Sequence, residues 1–436
     1  MSAHQHAPRL RRVGVPSAAA LVVVAGALTV SAAPAAQARL AGPAPAAEKL
    51  PAYGTLWISS PSDQSILEFS PPGSNRFPNP IATIEGADTT LNGVSGMAMD
   101  HQGRLWVANQ SANSIVVFAA NANGDAKPVV TISGADTHLN SPVDVALTQK
   151  GNIWAVNTGD NSLVEYAAGS HGDAKPLRRI AGSNTLLAKL TGVAVSPDGK
   201  RVWVSETRII KDGPSLDEYS GSAHGNVKPI AVITGSKTGL DQPNGVVVGV
   251  AGTDPIAVNA ATDEKSAVVR FAPGAHGNAK GTVVSGENTG LEESQLPGLD
   301  AVGNIWVPNP ENSEVVRFGP TQHGNVAPQK LFLGTDLNNP GSLAVFIVPP
   351  SAPRAMHAKA TSKKLHLTWS APKVKGGGIL GYEVRDRKKG GHWKVVKTTA
   401  KPSYTKSHPH TGFSYDVIAF NEAGYSTASS SLKVKV

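Results

Sequence analysis

The 436-residue chain contains no cysteine. That excludes disulfides, thiolate metal sites, a cysteine nucleophile and a lipid-modified cysteine at a leader junction. A chain working outside the cell without disulfide staples must rely on the size of its core. Long apolar runs are missing as well: Ala18 to Val30 is apolar but short for a membrane span, and no stop-transfer pattern follows it. Arg9, Arg11 and Arg12 precede that run and Ala36-Gln37-Ala38 follows it, so residues 1–38 read as a signal peptide. Arg11-Arg12 leaves a twin-arginine route open beside ordinary secretion. Residues 39–53, rich in Ala, Gly and Pro, read as a disordered spacer. The expected location is extracellular or on the cell wall, with no membrane span.

Aromatic residues are scarce, at 5%, and their placement is regular. Trp57, Trp106, Trp154, Trp203, Ile256 in place of Trp, and Trp306 stand 49, 48, 49, 53 and 50 residues apart. Around each lies the same phrase, clearest at Gly151-Asn152-Ile153-Trp154-Ala155-Val156-Asn157, followed by Leu163-Val164-Glu165-Tyr166 and then Leu190-Thr191-Gly192-Val193-Ala194-Val195. Apolar residues alternate within each segment, and Gly, Pro, Asn and Asp clusters bound it, which specifies antiparallel strands rather than helices. Four such strands repeated near fifty residues make a propeller blade. The chain enters this pattern at a Trp strand, Gly54 to Ser59, and leaves it after a lone first-type strand, Ser342 to Phe346. That last strand is expected to complete the first blade, giving six blades over residues 54–348.

The pattern of Gly-Val-Ala-Val, Gly-Asn-Ile-Trp-Val-x-Asn and Ser-x-Val-Val-Phe resembles the NHL-type six-bladed β-propellers. The resemblance covers about two-thirds of the chain and is specific for fold. It implies a protein-binding platform, while related propellers include gluconolactonase-like hydrolases, a peptide-amidating lyase and a streptogramin lyase. A Pro-rich linker, residues 349–353, then leads to a different pattern. Leu365-His366-Leu367-Thr368-Trp369, Gly381-Tyr382-Glu383-Val384 and Tyr415-Asp416-Val417-Ile418-Ala419-Phe420-Asn421 resemble a fibronectin type III module, an immunoglobulin-like β-sandwich, over 354–436. The resemblance implies Trp369 as the buried core aromatic and Tyr415 as the tyrosine corner, although the turn from Pro409 to Tyr415 is long and lacks the usual Leu. The fold class expected is therefore all-β, a propeller followed by a sandwich.

Charge divides the same way. Residues 351–436 carry 16 Lys and Arg against 4 Asp and Glu, whereas residues 39–350 carry 21 against 28. The two parts should meet different partners. In the basic part Arg385, Arg387, Lys388, Lys389, Lys394 and Lys397, with Trp393 between, form a cationic hairpin suited to an anionic wall polymer or acidic polysaccharide. Specific nucleic-acid recognition is not expected of an exported chain.

Two repeated polar patterns invite a metal reading. His171-Gly172-Asp173, His224-Gly225-Asn226, His276-Gly277-Asn278 and His323-Gly324-Asn325 share a slot with Asn123-Gly124-Asp125. A slot rotated round a ring does not converge on one ion, so these read as tight turns. Asp88-Thr89, Asp136-Thr137, Asn184-Thr185 and Asn288-Thr289 read as turn caps, with Ca²⁺ bound through oxygen ligands at the channel as the metal alternative. No other cofactor is implied. Catalytic propellers place converging acids or histidines at the start of the innermost strands, and here those positions are Ser95, Val143, Thr191, Asn244 and Gly341, with Leu296-Pro297-Gly298 in the irregular fifth unit. They supply neither paired carboxylates nor three histidines. Features unique to single blades, Glu206, Arg208, Asp241, Asn244, Asp263, Glu292 and Glu293, mark a candidate binding crescent for a protein or carbohydrate. The sequence thus favours a secreted binding or scaffold protein, with a secreted lyase or lactone or carbohydrate hydrolase acting at the channel mouth as the competing class.

Overall fold

The computed structural model describes residues 55–69, 79–207, 213–249, 252–260, 266–300, 303–333, 337–345, 350–373, 379, 381–409, 411–421 and 424–434. Residues 1–53, read above as signal peptide and spacer, and Arg208 and Asp263 lie outside them. Among the described residues regular structure is strand, apart from four single-turn 3₁₀ segments. None of it is a helix long and apolar enough to cross a membrane.

The unit around Trp154 shows how a repeat folds. Pro142–Leu147, Ile153–Asn157, Ser162–Tyr166 and Arg178–Ile180 form a four-stranded antiparallel sheet in chain order. Every residue of the Trp strand is buried, because both of its faces meet a neighbouring sheet. On one face Trp154, Val156 and Leu163 pack against Leu190, Val193, Val202 and Tyr219 of the next sheet. On the other, Ile153, Ala155 and Tyr166 pack against Trp106 and Ile115 of the preceding one. Six four-stranded sheets of this kind are present among the described residues, each with a hydrophobic core shared with its neighbour. This is a six-bladed β-propeller.

Ring closure follows the expected phase. Leu343–Val345 pairs antiparallel with Leu56–Ser60 in the register Leu56 to Val345, Trp57 to Ala344 and Ile58 to Leu343. The seam is buttressed by Ser59 N–H donating to the Ser342 carbonyl at 3.0 Å, and by Ser342 N–H donating to Ser59 Oγ at 2.8 Å.

The His-Gly-Asp and His-Gly-Asn segments are turns, and they do more than reverse the chain. Gly172 has φ 61°, which glycine adopts without strain. Its N–H donates to the Thr131 carbonyl at 2.7 Å, and its carbonyl accepts from Ser133 N–H at 3.0 Å, both in the preceding blade. Asp173 Oδ1 then accepts from Asp136 N–H at 2.7 Å. The same bond recurs from Asp88 to Asp125, Asn184 to Asn226, Lys237 to Asn278 and Asn288 to Asn325. The four histidines are exposed at the rim. The Asp-Thr pairs are caps: buried Thr137 donates through Oγ1 to the Gly134 carbonyl and accepts from Leu139 N–H.

The C-terminal domain has a three-stranded sheet, Arg354–Ala360, Lys364–Ser370 and Ser403–Ser407, and a five-stranded sheet built on Gly381–Lys388 and Phe413–Asn421. Trp369 is its buried aromatic, edge-on to Tyr382 with ring centres 5.4 Å apart. The tyrosine corner is a correction. Tyr415 is fully buried, but its hydroxyl meets no backbone acceptor among the described residues, and the Lys406 ammonium, 5.8 Å from its ring centre, acts on it instead.

Closure is testable at Leu343, which is buried in the seam. Leu343→Asp is expected to cost about 3 kcal/mol or more in denaturant unfolding, because it buries an unpaired carboxylate. Leu177→Asp, at a position 54% exposed, should change stability by roughly 0.5 kcal/mol or less.

Candidate functional site

The innermost strands of the six blades surround the hub, and their first residues form the channel mouth, a cavity of about 270 Å³ lined by Ser95, Val143, Thr191, Asn244, Gln295 and Gly341 among others. Sequence reasoning had placed five of these six. What it did not show is how their polar atoms are used. Ser342 Oγ donates to the Ser95 carbonyl at 2.6 Å, and Ser95 Oγ to the Val143 carbonyl at 2.8 Å. Val193 N–H donates to Asp144 Oδ2 at 2.9 Å, and Thr191 Oγ1 to the Pro243 carbonyl at 2.6 Å. Asn244 Nδ2 donates to Gln295 Oε1 at 2.8 Å, and Leu296 N–H to the Gly341 carbonyl at 3.2 Å. Each bond joins one blade to the next, so together they close a collar round the hub. Groups held this way stabilise the ring, and they are poorly placed to act as nucleophile or base.

Asp144 is the residue that sequence reasoning missed. Its side chain is 7% exposed, and Oδ1 accepts from its neighbour Val145 N–H at 2.9 Å. Burial pushes its pKa up to about 7, against the pull of the two backbone donors, Val193 and Val145. The alternating stretch Pro142-Val143-Asp144-Val145 gave no hint of this. Aligning the repeats does, because the corresponding positions are Gly96, Gly192 and Gly245.

The described crescent residues have different surroundings. Asn244 belongs to the collar, and Gln295 links it to Glu293 by donating to the Glu293 carbonyl at 2.9 Å. Glu293 is half-buried at φ 45°, and its carboxyl is pushed up by a hydrogen bond with Glu311 and by the charges of Glu311 and Glu292. Glu292 is exposed, and half-buried Asp241 donates its N–H to Asn259 Oδ1 at 3.1 Å. Glu206 is a correction: it is fully buried, with Oε2 accepting from Ala188 N–H at 3.2 Å. It fills the slot of Asn109, whose side-chain oxygen accepts from Asn92 N–H, so it holds a loop rather than facing solvent. Among the described residues no group of three or more His, Asp or Glu side chains is arranged to hold a metal ion.

In the C-terminal domain the cationic hairpin joins Gly381–Lys388 to Lys394–Thr399. Arg385 makes a two-pronged contact with Asp416, Nε to Oδ1 and Nη2 to Oδ2, each at 2.8 Å, so its charge is matched locally. The Arg385 and Arg387 guanidiniums lie 5.5 and 4.5 Å from the centre of the Trp393 ring. Arg387, Lys388, Lys389, Lys394 and Lys397 are exposed.

Residues 351–435 match the fibronectin type III domain family. No curated protein matches the chain in sequence. Among solved structures, titin kinase with its flanking domains is 27% identical over 20% of this chain and 17% of that chain, with a TM-score of 0.19. Hydrazine synthase of Kuenenia stuttgartiensis is 14% identical over 63% of this chain and 78% of its own, with a TM-score of 0.43. Virginiamycin B lyase of Staphylococcus aureus is 12% identical over 73% of this chain and 88% of its own, also with a TM-score of 0.43. None of these likenesses assigns an activity to this chain.

The raised pKa of Asp144 has a signed consequence for stability. A carboxyl that titrates higher in the folded state than unfolded favours folding while protonated, and that contribution is complete below its ordinary pKa of 3.8 and lost as pH rises through about 7. The unfolding free energy of the wild type minus that of Asp144→Asn should therefore fall as pH is raised from about 4 to about 8. Denaturant titrations at several pH values measure it, and a constant difference would contradict the burial argument.

Proposed function

We propose that this chain is an exported, non-catalytic binding protein, in which an NHL-type propeller is the recognition platform and the basic fibronectin type III domain attaches it to an anionic cell-surface or wall polymer. The observation that carries the reading is the collar: Ser95, Thr191, Asn244 and Gln295, four of the five polar side chains lining the channel mouth, are engaged in joining blades, with Gln110 the fifth, and an enzyme would need such groups for chemistry. The exposed cations of the 381–399 hairpin support the attachment role, since a dense positive surface attracts a polyanion through a long-range, salt-screened field. Of the candidate crescent, Asn244 is engaged in the collar, and Asp241, Glu292 and Glu293 are the propeller residues through which a protein or carbohydrate ligand would be met. The Arg- and Ala-flanked apolar run at the start of the chain supports export.

Retention on purified, protein-free cell wall tests the attachment. The wild-type protein should bind at roughly 50 mM salt and release by roughly 500 mM, where screening confines the field to a few ångströms. Charge reversal by Lys388→Glu, Lys389→Glu and Lys394→Glu together should lower low-salt retention about tenfold or more. Retention that ignores both salt and charge reversal sinks the electrostatic account.

A further inference from the structure

Below the collar the innermost strands end in a second cavity, a vestibule of about 250 Å³. Its wall is made by partly buried apolar side chains, chiefly Met99, Leu147, Val195, Val248, Leu299 and Val345. Its inner end is packed shut. A Cβ on Gly245 would stand 2.6 Å from Pro297 Cδ and 3.2 Å from Leu296 Cδ2, and one on Gly192 would stand 2.9 Å from Gly245 Cα. Near this closed end lies the Asp144 carboxylate, with Oδ2 3.3 Å from where a Cβ on Gly192 would stand.

We propose that this vestibule binds a small organic monocation with an apolar body, such as a primary ammonium, and that Asp144 is its counter-charge. Asp144 has no cationic partner among the groups acting on it; only two neutral backbone donors satisfy its oxygens. The collar does not require a carboxylate at this position, since Gly96, Gly192 and Gly245 occupy it elsewhere in the ring. Burying an unmatched carboxylate opposes folding, and an amide would accept a backbone hydrogen bond there without carrying that charge. The charge is therefore an unmatched attraction in a cleft lined by hydrocarbon side chains and strand backbone, and a perturbed group in a cleft is the usual mark of a binding site. A divalent metal ion is a poor complement, because it takes six to eight oxygen ligands and Asp144 is the one side chain of the lining that could supply any. An anion would be repelled. An ammonium group can meet Asp144 while its hydrocarbon body is buried against Met99, Leu147, Val195 and Val248. The inference rests on the hub alone and stands apart from the polymer-attachment reading.

Calorimetric titration of the full chain with cyclohexylammonium, cyclohexanol, cyclohexanecarboxylate and calcium chloride tests it. The account expects saturable binding of cyclohexylammonium only, about tenfold tighter at pH 8 than at pH 6, because Asp144 ionises between them. Asp144→Asn should weaken that binding at least about tenfold. Leu147→Lys leaves the collar bonds in place and sets a competing cation in the vestibule, and it should abolish binding even if the Asp144 variant fails to fold. No saturation by roughly 10 mM cyclohexylammonium, equal binding of cyclohexanol, displacement by calcium, or unchanged affinity in either folded variant would overturn the proposal.

Discussion

A blade of this propeller has no core of its own. Trp154 lies against the sheet that follows it and Ile153 against the sheet that precedes it. The buried apolar groups of each blade are covered by a neighbouring blade, so an open row of blades would leave two wet faces at its ends. The constraint is met by letting the chain begin and end in the same blade, where Trp57 faces Ala344 and Ile58 faces Leu343 across one ladder. With no cysteine to cross-link the ends, hydrogen bonds and packing carry the closure.

That constraint also shapes the hub. Six strands brought together edge to edge place serine, threonine, asparagine and aspartate side chains within reach of the next blade, and in this ring they take those partners. At the rim, Asp173 and its counterparts fasten each turn to the loop of the preceding blade. Inner collar and outer clamps act at opposite ends of each sheet, and the apolar cores lie between them. On the proposed reading, binding falls to groups that this framework does not use: the exposed cations of the 381–399 hairpin and the charge of Asp144 beyond what its hydrogen bonds require.

Much of this was legible in the sequence because repetition averages out local ambiguity. The Trp spacing, the alternation and the entry in mid-repeat were enough for blade number and closure, and the shared slot of the His-Gly-Asn turns was enough to set metal binding aside in favour of a turn. Burial of single polar residues was not legible. Glu206 stands beside Thr207 and Arg208 and looks solvated, yet it occupies the column of Asn109, Asn157, Asn259 and Asn309, whose members end a buried strand. Asp144 looks like the polar phase of an alternating strand, but at the hub both phases are enclosed. Tyr415 shows the converse: family pattern located its burial, but not the surroundings of its hydroxyl.

Closure is the claim on which the rest depends, and amide hydrogen exchange followed by mass spectrometry tests it most directly. If the ring is closed, peptides covering Leu56–Ser60 and Leu343–Val345 are as protected as Ile153–Asn157 on the far side of the ring, and all three open in one cooperative step. Early, independent exchange of the two terminal strands while Ile153–Asn157 stays protected would contradict it.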